Sequence, residues 1–316
     1  MTTIERHPYR GEPDFESLAH LINTCDGVDK LEQGTSIAEL RDSYNSSNHQ
    51  NICLWKDIDD RLIGYAQISI TESSQLIEGN LYFTIHPDDR SDHVESQIFD
   101  WGKLRLRELN TQTGVPLKLC CELHEHDQYR MTVIRQREFT IDRYFHRLER
   151  SLCESIPEAI FPDGFRLGFV NGERDAQSVA DLYNNSFIDA WGFHPLTVDN
   201  LKSRYDNKGY KRELDLAIVG ADGTFVSWFL ANFSPERNER NRRKEGWIEF
   251  LGTRRGFRKM GLGRAILLSG LHQLKKAGLE TARMCVDTKN PSNALNLYES
   301  VGFSKLSIII ICSQDI

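Results

Sequence analysis

The chain has no long apolar run. Nothing in its 316 residues approaches the roughly 18 consecutive apolar residues that cross a bilayer, and its first residues form no hydrophobic signal core. A cytoplasmic protein without membrane contact is expected. A basic excess is missing too: 39 Lys and Arg stand against 46 Asp and Glu, a net charge of −7 that argues against a general nucleic-acid binder. The seven cysteines are odd in number and include no CxxC pair. Cys53, Cys285 and Cys312 sit in apolar strand-like runs and are expected as reduced core thiols. The adjacent Cys120 and Cys121 would face opposite sides of a strand. His124-Glu125-His126, beside Asp127, has no third cluster at metal spacing, so a polar strand end and no metal is expected.

Positive charge is local instead, with Arg254, Arg255, Arg258, Lys259 and Arg264 close together. Before it, Trp247-Ile248-Glu249-Phe250-Leu251 is rich in strand-favouring residues. After it, Leu262, Ile266, Gly270 and Leu274 recur at helical spacing, with His272, Lys275 and Lys276 off that face. The run Arg258-Lys259-Met260-Gly261-Leu262-Gly263-Arg264-Ala265 is therefore a basic, glycine-broken turn that leaves a strand and opens a helix. Such a turn suits a pyrophosphate. The first N–H groups of a helix have no internal partner, the helix dipole favours negative charge there, and glycine lets a ligand reach the backbone.

Spacing excludes two common phosphate loops. Gly256 and Gly261 stand at P-loop separation, but Leu262 and Gly263 occupy the places of Lys and Ser/Thr. After Gly261-Leu262-Gly263, the third position of a dinucleotide fingerprint is Ile266, too bulky for close backbone contact. The pattern R-x-x-G-x-G remains. Downstream, Gly278 ends the helix and Thr281–Val286 reads as a buried strand. Asn290-Pro291 breaks that strand, Ser292 or Asn293 can cap a short helix carrying Tyr298, and Gly302-Phe303 follows.

The chain also repeats itself, with an offset of about 160 to 168 residues. Gly11, Glu12, Asp14, Ser17, Ala19, Leu21 and Asn23 match Gly172, Glu173, Asp175, Ser178, Ala180, Leu182 and Asn184. Leu62–Ala66 parallels Phe225–Phe229, and the strand ending at Arg90 parallels the one ending at Arg258. Each copy reads β-α-α-β-β-β-α-β-α-β-β. After Arg90, however, the first copy continues Ser91-Asp92-His93-Val94-Glu95, without glycine and with two carboxylates that would repel a diphosphate. It has His126 opposite Asn290 and Ile134 opposite Tyr298. The boundary is placed at about Ser151–Asp163, where Pro157, Pro162 and Gly164 interrupt the pattern. The mixed-charge stretch Ser234–Glu245 is expected as a solvated hairpin loop, with a substrate-facing flap as the alternative.

The R-x-x-G-x-G turn, followed by the Asn290–Phe303 motif, resembles the GNAT superfamily of acyl-CoA-dependent N-acyltransferases, and the repeat resembles its tandem members. The resemblance implies an α/β fold (an α+β mixed sheet) in two tandem GNAT-like domains: a degenerate one at 1–155 and one at 164–316 with an intact acyl-CoA loop. It implies an acetyl-CoA-dependent N-acetyltransferase acting on a small primary amine, with catalysis in the C-terminal domain. A non-catalytic acyl-CoA sensor or scaffold, or the same fold using another acyl donor, stands beside that reading.

The resemblance also carries site residues. Leu251, Gly252 and Thr253 would meet the cofactor through the main chain, and Arg258, Lys259, Met260, Gly261, Leu262, Gly263 and Arg264 would hold its diphosphate. Asn290 and Asn293 would complete that site, although an Asx turn before Pro291 equally explains Asn290. Tyr298 is the candidate acid for the leaving thiolate, against a packing role. Glu249, expected to share a strand face with Trp247 and Leu251, is the candidate base, against a cross-strand salt bridge. In the family the connection holding Asp189, Trp191, Phe193 and His194 borders the acceptor pocket. Asp189 would meet an ammonium there, or the aromatics form a domain-interface cluster.

Overall fold

The structure, a computed structural model, describes residues 4–44, 46–73, 75–110, 114–207, 209–290 and 292–316. Pro291, half of the expected strand break, lies outside the described residues. The first repeat runs β1 (Glu5–Pro8), α1 (Phe15–Asp29), α2 (Ile37–Ser43), β2 (Ile52–Lys56), β3 (Leu62–Glu72), β4 (Ile77–Ile85), α3 (Asp92–Asn110), β5 (Leu117–His124), α4 (Gln128–Gln136) and β6 (Thr140–Ser151). The second runs β7 (Arg166–Phe169), α5 (Ala176–Phe187), α6 (Val198–Tyr205), β8 (Asp215–Val219), β9 (Phe225–Asn232), α7 (Pro235–Arg240), β10 (Glu245–Thr253), α8 (Leu262–Lys276), β11 (Thr281–Asp287), α9 (Ala294–Ser300) and β12 (Ser304–Asp315). The two orders agree, apart from α7. Each ends in one long strand where two were expected.

Local detail repeats as well. The Arg10 N–H donates to the Asp14 carboxylate at 2.7 Å, and the Asn171 N–H donates to that of Asp175 at 2.9 Å, each just ahead of its helix. Both α2 and α6 open with capping boxes, Ser36 with Glu39 and Thr197 with Asn200, which satisfy N–H groups that a helix start leaves without partners.

Two compact units divide the chain: one reaches Tyr144 and includes Ile308–Ile316, and the other spans Phe145–Ser307. These limits depart from the expected 1–155 and 164–316. In the first unit the sheet runs β1-β2-β3-β4-β5, and residues 309–315 of β12 pair antiparallel with β5. In the second unit residues 145–151 of β6 pair antiparallel with β11, followed by β10, β9, β8 and β7. Alternation marks both long strands but does not say which sheet accepts each one.

In the second unit α8 carries the expected buried face: Leu262, Ile266, Leu271 and Leu274 are at most 1 % exposed, beside Phe229 and Ile248 in one core cluster. Burying each such side chain is worth about 1.5–3 kcal/mol. Gly278, at φ 83°, ends α8, and the Leu279 N–H reaches back to the Leu274 carbonyl at 3.2 Å. α5 and α6 pack a second cluster that includes Ala217, Trp228 and Leu230. The Ser234–Glu245 stretch is not simply a loop. Ser234 caps α7 and Pro235 takes its first turn, where a missing N–H costs nothing.

Candidate active site

Two features of β10 create the site. Its parallel pairing with β11 stops at Ile248 and Met284, although β10 continues to Thr253. On its other side the register with β9 jumps from Ile248↔Ala231 to Phe250↔Leu230, so Glu249 is a bulge. Beyond Ile248, β10 has β9 on one edge and an open split on the other.

A cleft of about 560 Å³ lies at that split. Leu251, Gly252 and Thr253 border it from β10, Ser186 and Phe187 from the end of α5, and Asn290, Leu297 and Tyr298 from the segment after β11. The basic turn forms one end. Lys259 and Gly261 both adopt positive φ, 64° and 84°, and Gly261 is the residue preceding α8. No side chain caps α8, and its first internal bond runs from the Ala265 N–H to the Gly261 carbonyl. The N–H groups of the first turn therefore meet the cleft with the geometry of an anion nest. A Cβ on Gly263 would lie 3.5 Å from both Leu297 Cδ2 and Thr253 Oγ1, in ordinary contact with protein but inside the cleft. A diphosphate with a long pantetheine arm fits this donor set and shape.

The remaining expected cofactor residues divide by role. Arg258 and Lys259 border the cleft, but Arg258 is committed to the fold: Nε donates to the Thr253 carbonyl at 3.2 Å and an Nη to that of Ser186 at 2.7 Å. Arg264 borders the cleft and donates to Ser300 Oγ at 2.8 Å. Leu262 is buried in the core, so its N–H alone can face a ligand, and Met260 lines a neighbouring groove. Asn290 accepts from the N–H and hydroxyl of Ser292, at 2.9 and 2.6 Å, the Asx-turn arrangement. Asn293 precedes α9 at φ 53° and makes no side-chain cap.

Tyr298 is 6 % exposed and packs edge-on against Phe303, with ring centroids 6.2 Å apart. Burial pushes its hydroxyl well above the usual tyrosine range, so it stays protonated. Glu249 lies elsewhere. The bulge turns it to the α6 side, where it pairs with Arg204, while Leu251 packs against the α8 core. The expectation of one face for Glu249 and Leu251 is therefore wrong, because the extra residue resets the alternation. Glu249 lines a polar cleft of about 400 Å³ with Asn200, Asn207, Tyr210 and Asn232.

Of the expected acceptor residues, Asp189 borders the 560 Å³ cleft but pairs with Arg255. Trp191 packs on Phe145 at 5.9 Å and Phe193 on Tyr183 at 6.1 Å; neither of these, nor His194, lines that cleft. Sequence reasoning missed Arg204, whose place depends on packing rather than on local pattern. Among the described residues there is no metal-type cluster and no helix long and apolar enough to cross a membrane.

The first unit is built differently at the matching place. Arg90 Nε reaches the Ile85 carbonyl at 3.4 Å, much as Arg258 reaches Thr253, but its fork holds Asp29 at 2.9 and 2.5 Å. Glu95, 5 % exposed, accepts from Tyr129 at 2.9 Å and pairs with Arg137 at 3.3 Å. Between α1, β4 and α4 a space of only about 10 Å³ remains, room for roughly one water.

The family pattern described as acetyltransferase (GNAT) family matches residues 176–303, a span that holds the split strand, the turn and Tyr298. Residues 176–303 belong to this family. The chain is 26 % identical to a mycothiol acetyltransferase of Acidothermus cellulolyticus, over 92 % of this chain and 87 % of that one. It is 27 % identical to one of Thermobispora bispora, over 93 % of each. Among solved structures it is similar to a GCN5-related N-acetyltransferase from Sphaerobacter thermophilus, with TM-score 0.78 and 18 % identity over 99 % of this chain and 95 % of that one. It is also similar to a tandem GNAT protein from the clavulanic acid biosynthesis pathway, with TM-score 0.72 and 12 % identity over 99 % and 98 %. The fold is the mixed α/β GNAT fold in tandem. The chain is an N-acetyltransferase, and the acyl donor is acetyl-CoA.

Proposed function

We propose that the second unit transfers the acetyl group of acetyl-CoA to the primary amine of a small molecule, and that the first unit is a degenerate GNAT copy. One juxtaposition carries this reading: the uncapped start of α8 and the Tyr298 side chain border a single cleft, at the point where β10 leaves β11.

Acyl transfer to an amine needs a neutral nucleophile, a stabilised oxyanion and a protonated leaving thiol. Acetyl-CoA supplies the activated acyl group as a thioester. The open edge of β10 at Leu251–Thr253 offers main-chain donors to it. Tyr298 keeps its proton at neutral pH and donates a hydrogen bond to the departing sulfur, stabilising the thiolate, whose conjugate thiol has a pKa of about 8.5 and which takes its proton from water. Glu249, on the α6 side of the split strand, accepts through water the proton that the amine loses, since its cleft shares no lining residue with that of the thioester. The relatives' name makes a mycothiol-related amine the first acceptor to try. Following thiol release over a panel of amines tests the reading. Absence of turnover with every amine tested, while coenzyme A still binds, would replace it with a sensor.

A further inference from the structure

Tyr298 is carried by α9, a helix of only seven residues. A helix so short does not hold itself in place, because its few internal bonds barely offset the cost of nucleating it. Asn293 precedes it at φ 53° and gives its first turn no side-chain cap. Besides the packing of Tyr298 on Phe303, the hold on α9 lies at its other end.

Two arginines converge there on main-chain carbonyls, the negative pole of the helix. Arg264 donates to the Ser300 carbonyl at 3.3 Å, and Arg150, from β6, donates through Nε to the Val301 carbonyl at 2.6 Å. Arg150 is 4 % exposed, and among the described residues all its hydrogen bonds go to main-chain carbonyls. Besides Val301, its two Nη groups reach the carbonyls of Ser151 and, at 2.8 Å, of Ser155. Its own strand is anchored, since Arg150 stands opposite Ala282 in the antiparallel pairing of β6 with β11. Gly302 makes room for it: that residue holds φ 96°, and a Cβ on it would lie 3.3 Å from Arg150 Nε. Burying a cation against carbonyls alone is costly. A planar fork that spans three carbonyls is something only arginine provides, and here it bridges the sheet to the end of the Tyr298 helix.

We propose that Arg150 is a positioning residue for acyl transfer, fixing α9 so that the Tyr298 hydroxyl meets the departing sulfur. The proposal rests on the role given to Tyr298 above. Arg150 does not border the cofactor cleft, whereas Arg264 does, so losing Arg150 should slow the reaction without weakening coenzyme A.

The test is a double-mutant cycle on the full chain, with thiol release giving kcat and calorimetry giving coenzyme A affinity. Arg150→Met, Tyr298→Phe and the double variant are compared with the unaltered protein. Arg150→Met is expected to lower kcat about tenfold in the parent but less than about twofold in the Tyr298→Phe background, with coenzyme A affinity unchanged in both. Arg150→Lys, whose ammonium still reaches one carbonyl, is expected to lose about threefold in the parent, and it carries the cycle should Arg150→Met not fold. Unchanged kcat in the parent, an equal loss in both backgrounds, or a parallel loss of coenzyme A affinity overturns the positioning role while leaving Tyr298 standing. Unaltered kcat in Tyr298→Phe alone overturns the role of Tyr298 and this proposal together.

Discussion

Asn184 ties down Leu196 with two hydrogen bonds, its side-chain amide donating to the Leu196 carbonyl at 3.0 Å and accepting from the Leu196 N–H at 2.8 Å. Asn23 ties down Thr35 in the same way, at 2.9 and 2.8 Å, and each pair spans 12 residues. One helix-to-helix connection is thus built twice from one asparagine, matching the repeat in the sequence. The copies part at the turn before the long helix: Gly261 and Gly263 leave amides open in one, while Arg90, Asp29 and Glu95 close the other with their own charges.

That contrast predicts one coenzyme A per chain. Calorimetry is expected to give a stoichiometry near one. Asp29→Ala should cost about 1–3 kcal/mol of stability, because the largely buried Arg90 loses its partner, yet leave the stoichiometry unchanged. A second binding event would contradict the sealed first unit.

Gly263→Val separates the ligand from the fold. The added Cβ makes only ordinary protein contacts, so the melting temperature is expected to stay within about 4 °C of the parent. The branched side chain fills the space over the first turn of α8, and coenzyme A affinity is expected to fall about 100-fold by titration. Retained affinity would move the cofactor away from this turn.

Tyr298→Phe keeps the packing on Phe303 and removes the proton. The expected kcat falls about 100-fold, with coenzyme A affinity unchanged. Because burial raises this hydroxyl above its ordinary value near 10, no alkaline decline in kcat from Tyr298 is expected below about pH 10. An acid limb at neutral pH that disappears in Tyr298→Phe would refute its role as donor.

Glu249→Gln should lower kcat/KM for the amine by about 100-fold, again without weakening coenzyme A, since Glu249 lines the other cleft. Equal damage to both affinities would point to a structural role for the pair with Arg204.

Asp215 supplies a pH signature of stability. It is buried in the second unit, and its carboxylate accepts from Trp228 Nε1 at 2.7 Å and the Tyr210 hydroxyl at 2.8 Å. Burial raises its pKa to about 6, with the two hydrogen bonds opposing the shift. The folded state therefore holds a proton that the unfolded chain releases near pH 4. This group's contribution is fully present below about pH 4 and is lost as pH rises through 6, a change of about 3 kcal/mol. Denaturant titrations of Asp215→Asn should lack that slope.

Much of the site was legible because it rests on local rules. The strand, the glycine turn, the buried stripe of α8 and its end at Gly278 depend on nearest neighbours in the chain. Glu249 was misplaced because a bulge is a property of two strands, and the register of β9 is not written in β10. The pairing of Asp189 with Arg255 is not legible in sequence, because the two come from distant segments. The stretch after Ser234 did hold a helix signal, serine followed by proline, which its mixed charges outweighed.

The strand assignments bear on how the protein can be dissected. Cutting at the repeat boundary would leave the later fragment without residues 145–151, which line the edge of β11, and would leave the earlier fragment without residues 309–315, which line the edge of β5. Each half would then present a raw row of backbone donors and acceptors, a template for sticking to its neighbours rather than an independent enzyme.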